Sequence, residues 1–86
     1  MKIHYSTKFK KQYRKLPKGI REQFRERAAL FLNDKNAPQL NIHKLHGEYD
    51  GLWSMNISGE MRAVFDVHYK NTIIFVAVGS HSELYS

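Results

Sequence analysis

GEMRAVFDVHYKNTIIFVAVGSHSELY, residues 59–85, contains two strand patterns in succession. In MRAVFDVHY (61–69), Met61, Ala63, Phe65, Val67 and Tyr69 fall on one face and Arg62, Val64, Asp66 and His68 on the other. That period of two marks a strand with one buried face. Lys70–Asn71 reads as a turn. TIIFVAV (72–78) carries apolar residues on both faces, as a strand in the middle of a sheet does. SHSELY (80–85) then reads as a short tail ending in an aromatic. Arg62 at the start of one strand and His81 just past the end of the next are thereby brought to one place.

Working back from this hairpin, LWSMNI (52–57) puts Trp53, Met55 and Ile57 on one face, opposite Ser54 and Asn56. Ser58–Gly59 reads as a two-residue hairpin turn joining it to 61–69. NIHKLH (41–46) is strand-like, GEYDG (47–51) is turn, and NDKNAPQ (33–39) is loop by composition. Upstream the period changes from two to the helical one. Ile20, Phe24, Ala28 and Phe31, extended by Leu32, form the stripe of a helix from about Lys18 to Asp34. Glu22 and Arg25 make a favourable pair on its surface. Phe9, Tyr13 and Leu16 form the stripe of an earlier helix, which Ser6 or Thr7 can cap and Pro17 ends. KIHYS (2–6) alternates and reads as a short strand near an edge. The expected class is α+β, with two N-terminal helices packed on one face of a small, mostly antiparallel sheet, in the order β-α-α-β-β-β. The other face then carries Arg62 and its neighbours, half exposed.

The chain's 86 residues suit one domain, 1–86. No cysteine is present, so neither a disulfide framework nor a thiolate metal site is available. No apolar run approaches the ~20 residues of a membrane span. The N-terminus, MKIHYSTKFKKQ, lacks the apolar middle of a signal peptide. A soluble, cytoplasmic protein is expected. Residues 1–35 carry eleven Lys/Arg against three acids, whereas residues 36–86 carry three against five. The formal charge of +6 is therefore gathered in the first part of the chain. A concentrated basic surface attracts polyanions, nucleic acid above all; the plainer reading is a solvated helix face.

Arg62 lies opposite the Met61/Phe65 stripe, where a guanidinium suits a phosphate. The structural alternative is an ion pair with Glu60, Asp66 or Glu83. His81, where a strand gives way to loop, suits proton transfer; the alternative is a surface histidine. Regular alternation would put His43 and His46 on different faces, so that only one joins Arg62. No HxH or HxxxH pair occurs, and no metal or other cofactor is expected. Tyr85 can stack on a nucleobase or pin the tail to the sheet. No nucleophile elbow or phosphate-binding glycine loop is present.

The runs HKLHGEYDGLWSMNISGEMRAVFDV and IIFVAVGSHSELY, after a leading β-α-α with basic helices, resemble the RelE/ParE superfamily of bacterial toxins. The most specific pieces are G-L-W-S-x-x-I-x-x-x-x-R-x-V-F (51–65) and G-S-H-S-E-L-Y (79–85). The ending is similar to the YafQ branch; the central piece resembles the YoeB and HigB branches. The resemblance implies the toxin half of a type II toxin–antitoxin pair. Its activity would be a ribosome-dependent endoribonuclease that cuts mRNA in the A site without a metal, leaving a 2′,3′-cyclic phosphate and a 5′-OH. It implies Arg62 as the phosphate-stabilising cation, His81 as general acid, His43 as general base and Tyr85 as a substrate contact. Glu60 falls on an acidic position of the YafQ site, and His46 is a further candidate substrate contact. Asn56 stands where YafQ-like sites carry a second strand histidine, and Ala77 where YafQ has an arginine. The implied partners are an antitoxin and the ribosome with its mRNA. The competing readings are a ParE-like toxin that inhibits DNA gyrase by binding, and a non-catalytic basic RNA-binding domain.

Overall fold

A computed structural model describes residues 1–85. The elements run β1 (Lys2–Tyr5), α1 (Thr7–Arg14), α2 (Lys18–Asn33), β2 (His43–Lys44), β3 (Trp53–Ser58), β4 (Met61–Asp66), β5 (Thr72–Ser80) and α3 (His81–Tyr85). Single 3₁₀ turns form at Pro38–Leu40 and Gly47–Tyr49. The five strands make one sheet in the order β1-β5-β4-β3-β2. Only the β1–β5 pair is parallel. The class is α+β, as the hydrophobic periods require.

α1 starts where Ser6 accepts a hydrogen bond from the Phe9 N–H at 3.0 Å, satisfying a donor that the first turn leaves free. Both long helices lie on one face of the sheet. Phe9, Phe24, Ala28 and Phe31 bury there against Met55, Ile57, Ala63, Phe65, Ile73, Phe75 and Val78. Leu32, expected to extend the α2 stripe, is 49% exposed; Leu30 packs against the core instead. Glu22 pairs with Lys18 at 4.0 Å, while Arg25 donates to the Tyr13 hydroxyl at 3.1 Å. The expected Glu22–Arg25 pair is absent because both partners are engaged elsewhere.

Three further differences concern the sheet. The expected strand 41–46 is two residues long, since Asn41 enters the left-handed region (φ 43°) and a 3₁₀ turn follows His46. The β3–β4 loop is Gly59–Glu60, one residue later than expected, because a bulge between Asn56 and Ser58 shifts the pairing so that Ser58 opposes Met61. Gly59 has φ +49°, which suits the first position of such a loop. β4 ends at Asp66, so Val67 and Tyr69 lie beyond the sheet and are exposed.

β5 carries the irregularity with the largest effect. Val64 pairs with Ala77 but Phe65 with Phe75, so Val76 is an extra residue bulged out of the ladder. Alternation therefore reverses at this point. Ile73, Phe75 and Val78 face the helices, while Val76 and Ala77 face the other side. β1 pairs with β5 only as far as Phe75. Past that residue, side chains before and within α1 take over the free edge. The Ser6 hydroxyl donates to the Val76 carbonyl at 3.1 Å, and the Gln12 carboxamide oxygen accepts from the Val78 N–H at 2.9 Å.

Candidate active site

The second face of the sheet is not bare. Val64 and Ala77 are fully buried beneath Leu84 of α3, with Leu45, Tyr49, Leu52, Val76 and Tyr85 around them. The segment expected as a tail is thus a short helix. Its local cause is legible in Ser80-His81-Ser82-Glu83. The Glu83 N–H donates to the Ser80 hydroxyl at 3.1 Å, and the Glu83 carboxylate accepts from the Ser80 N–H at 2.7 Å. This reciprocal capping box satisfies two otherwise free donors. The Ser80 main-chain N–H first, and the nearby Ser80 hydroxyl second, hold the Glu83 carboxyl below the usual glutamate range. Gly79 leaves the room for it, since a Cβ there would meet the Glu83 carboxylate at 3.2 Å.

The helix is also clasped from the other side, where the His81 N–H donates to the Glu60 carbonyl at 2.7 Å. Glu60 contributes its main chain to this contact; its side chain is exposed. His81 therefore begins its helix against the β3–β4 loop, two residues from Arg62. The His81 ring lies edge-on to Tyr85, with centroids 4.8 Å apart.

Cross-strand partners share a face. Asn56, Arg62 and Gly79 form one such row across β3, β4 and β5, and His43, Ser54, Val64 and Ala77 form the next, beginning on β2. Arg62 and His43 are thus two strands and two residues apart, roughly 12 Å between α-carbons at ordinary sheet spacings. Tyr85 links the rows to α3: its hydroxyl points to the Ser54 hydroxyl at 3.4 Å, and its ring meets Tyr49 edge-on. Of the two readings of Tyr85, the pinning contact is present, and the ring remains partly exposed.

Arg62 is half-buried and makes none of the expected ion pairs with Glu60, Asp66 or Glu83. Its Nη1 donates to the Gly59 carbonyl at 2.6 Å and the Met61 carbonyl at 3.0 Å. Nε and Nη2 carry the donors of a side-on edge suited to two oxygens of a phosphate. His43 is exposed, and its Nδ1 lies 2.8 Å from the Asn41 carbonyl. A carbonyl only accepts, so Nδ1 carries the hydrogen and the neutral ring presents a lone pair at Nε2. The left-handed Asn41 turns that carbonyl toward the ring.

His46 does not join this group. It lines a separate cleft of about 360 Å³ with Asp50, Gly51 and His68. There Asp66 accepts from both the His68 main-chain N–H, at 2.9 Å, and its Nδ1. Burial raises the Asp66 pKa, but these bonds outweigh it and the carboxyl lies below its ordinary value. A cavity of about 650 Å³ beside Phe31, Trp53 and Tyr69 contains none of the candidate residues. Among the described residues, no group of three or more His, Asp or Glu side chains converges to hold a metal ion. Nor, among the described residues, is any helix long and apolar enough to cross a membrane. Sequence reasoning missed the Val76 bulge and the Gln12 latch, for which no local signal exists, and the capping box, for which Ser80-x-x-Glu83 was the signal.

Comparison with known proteins agrees with this architecture. The family model for the bacterial toxin of type II toxin–antitoxin systems, YafQ, matches residues 1–86. No curated protein sequence matches the chain. Among solved structures, YafQ from E. coli strain BL21(DE3) superposes with a TM-score of 0.81 at 16% identity, covering 98% of this chain and 97% of that one. A YoeB/ParE toxin from Agrobacterium tumefaciens gives 0.77 at 19% identity, covering 94% and 99%. The RelB–RelE antitoxin–toxin complex from Methanococcus jannaschii gives 0.73 at 23% identity, covering 95% and 94%. These identities speak for the fold.

Proposed function

Because the chain belongs to the YafQ family of type II toxins, we propose that it is an endoribonuclease that cleaves mRNA in the ribosomal A site. The observation that carries this reading is the clasp between the His81 N–H and the Glu60 carbonyl, which anchors the main chain of His81 two residues from Arg62, on the face that also bears His43. Phosphodiester cleavage by an internal nucleophile needs a base, a cation and an acid, and these three residues are of the right types.

In this mechanism His43 Nε2 takes the proton of the ribose 2′-OH. The 2′-oxygen attacks the adjacent phosphorus as the bond to the 5′-oxygen breaks. Arg62, through Nε and Nη2, offsets the negative charge that grows on the non-bridging oxygens. Protonated His81 gives its proton to the departing 5′-oxygen. The products are a 2′,3′-cyclic phosphate and a 5′-OH, and solvent restores both histidines. Tyr85 offers its ring edge to a base. The basic residues of α1 and α2 supply the surface for ribosomal RNA, and the regulating partner is an antitoxin.

The test is mRNA cleavage on programmed ribosomes. Removing the acid in His81→Ala should slow cleavage about 10²–10⁴-fold. Arg62→Ala should slow it about 10²–10³-fold. Undiminished cleavage by both variants would overturn the mechanism.

A further inference from the structure

The second face holds an unpaired polar group that the mechanism above does not use. The Asn56 carboxamide oxygen is buried and has no hydrogen-bond partner. Arg21 Nε is the other such atom among the described residues, and it lies on α2, remote from this face. Buried acceptors are nearly always paired, because an unpaired one forfeits its bond to water. A group left in that state within a candidate site needs a reason.

Asn56 is the direct cross-strand partner of Arg62. Side chains so placed have Cβ atoms about 5 Å apart, within easy reach of a guanidinium. In this structure Arg62 turns away from Asn56, toward the loop carbonyls of Gly59 and Met61. The row ends at Gly79, where the space a side chain would take is filled by Glu83 and Leu84 of α3, so the open acceptor next to Arg62 is on the Asn56 side. The molecule thus contains an arginine resting on two main-chain carbonyls and, beside it, an acceptor with nothing to accept.

We propose that Asn56 is the second seat of Arg62, a positioning residue whose carboxamide oxygen takes a guanidinium N–H when the side chain swings from the loop to a bound phosphate. Moving inward, Arg62 gives up Gly59 and Met61 as acceptors. Asn56 Oδ1 replaces them and holds the planar group at a fixed angle, leaving its other donors for the phosphate oxygens. A neutral carboxamide does this without adding negative charge next to an anionic substrate, as an aspartate would. This inference rests on the ribonuclease reading and adds to it a residue that cannot itself transfer protons.

The proposal carries a signature that an ordinary structural residue would not give. Replacing a half-buried side chain whose oxygen is buried and unpaired with an apolar one of similar size should stabilise the free protein while weakening catalysis. Asn56→Leu should raise Tm by about 4 °C or more and lower the single-turnover cleavage rate on programmed ribosomes about tenfold. The same substitution in an Arg62→Ala background, followed long enough to measure its slow rate, should have no further effect on cleavage, since the seat then has no occupant. A fall in Tm would show that Asn56 is already satisfied in the fold and would overturn the proposal. So would an equal rate loss in both backgrounds, or an unchanged rate in Asn56→Leu. Absence of cleavage by the unmodified protein would instead refute the ribonuclease reading itself.

Discussion

On the helix side of the sheet, Phe75 is fully buried and meets the rings of Tyr5, Phe9, Phe24 and Phe65. On the opposite side, Val64 and Ala77 are buried as completely, but their cover is a five-residue helix and a handful of loop side chains. The two faces hide the same kind of surface by different means. One is sealed by aromatic rings on two long helices. The other is closed by elements that depend on a few specific hydrogen bonds, and those elements carry His81, Tyr85 and His43. Stability is thus concentrated on one side and the candidate chemistry on the other.

That contrast can be broken by experiment. Phe75→Ala should cost about 3–5 kcal/mol, read from denaturant unfolding, which is a large share of what a domain of this size possesses. Leu84→Ala should cost nearer 2 kcal/mol, because the short helix can settle into the space, while its cleavage rate falls further than its stability. Equal losses at the two positions would remove the distinction between the faces. Gln12→Ala, which strips the Val78 N–H of its partner, should cost about 1–3 kcal/mol. It should reduce cleavage with little change in KM, since the strand it holds leads to His81; a change in KM alone would count against this.

The smallest effect is expected from acid. Glu83 has a lowered pKa in the folded protein, so its stabilising contribution is complete above the ordinary glutamate value, about 4.3. The contribution declines as pH falls through the lowered value. Protection of the amides of residues 81–85, taken relative to the intrinsic exchange rate at each pH, should therefore fall between neutral pH and the acid side of that window. Glu83→Gln keeps an acceptor for the Ser80 N–H but cannot titrate, so its protection factors should lose this pH dependence. An unaltered dependence would assign it to another group.

The fold is legible in the sequence because its main signals are periodic: Phe24, Ala28 and Phe31 on a helix, and Met55, Ile57, Ala63 and Phe65 on strands. Pattern and structure part where geometry departs from a period. Leu32 continues the helical stripe in the sequence yet faces solvent, and Val67 and Tyr69 continue an alternation after the strand has ended. Tertiary pairing produces the Val76 bulge, so no local rule announces it. The positions of Arg62 and His81 could be anticipated from strand parity and a strand end, whereas parity leaves His43 and His46 undecided and only the family resemblance chooses between them. The resting place of Arg62 and the unpaired Asn56 oxygen depend on side-chain rotation, which no residue pattern encodes.

The parallel pairing of β1 with β5 has a consequence for how the chain folds. Lys2 opposes Thr72, and Ser6 reaches Val76 across 70 residues of sequence. Closing so long a loop sacrifices chain entropy before any contact repays it, and proteins rich in such distant contacts fold slowly. The β3–β4–β5 meander has no such delay, since each strand pairs with its neighbour in sequence. Seating the first strand and helix is then the expensive step, and it is the step that covers the free edge of β5. A substitution at Ser6 should accordingly be judged by refolding rate as well as by equilibrium stability.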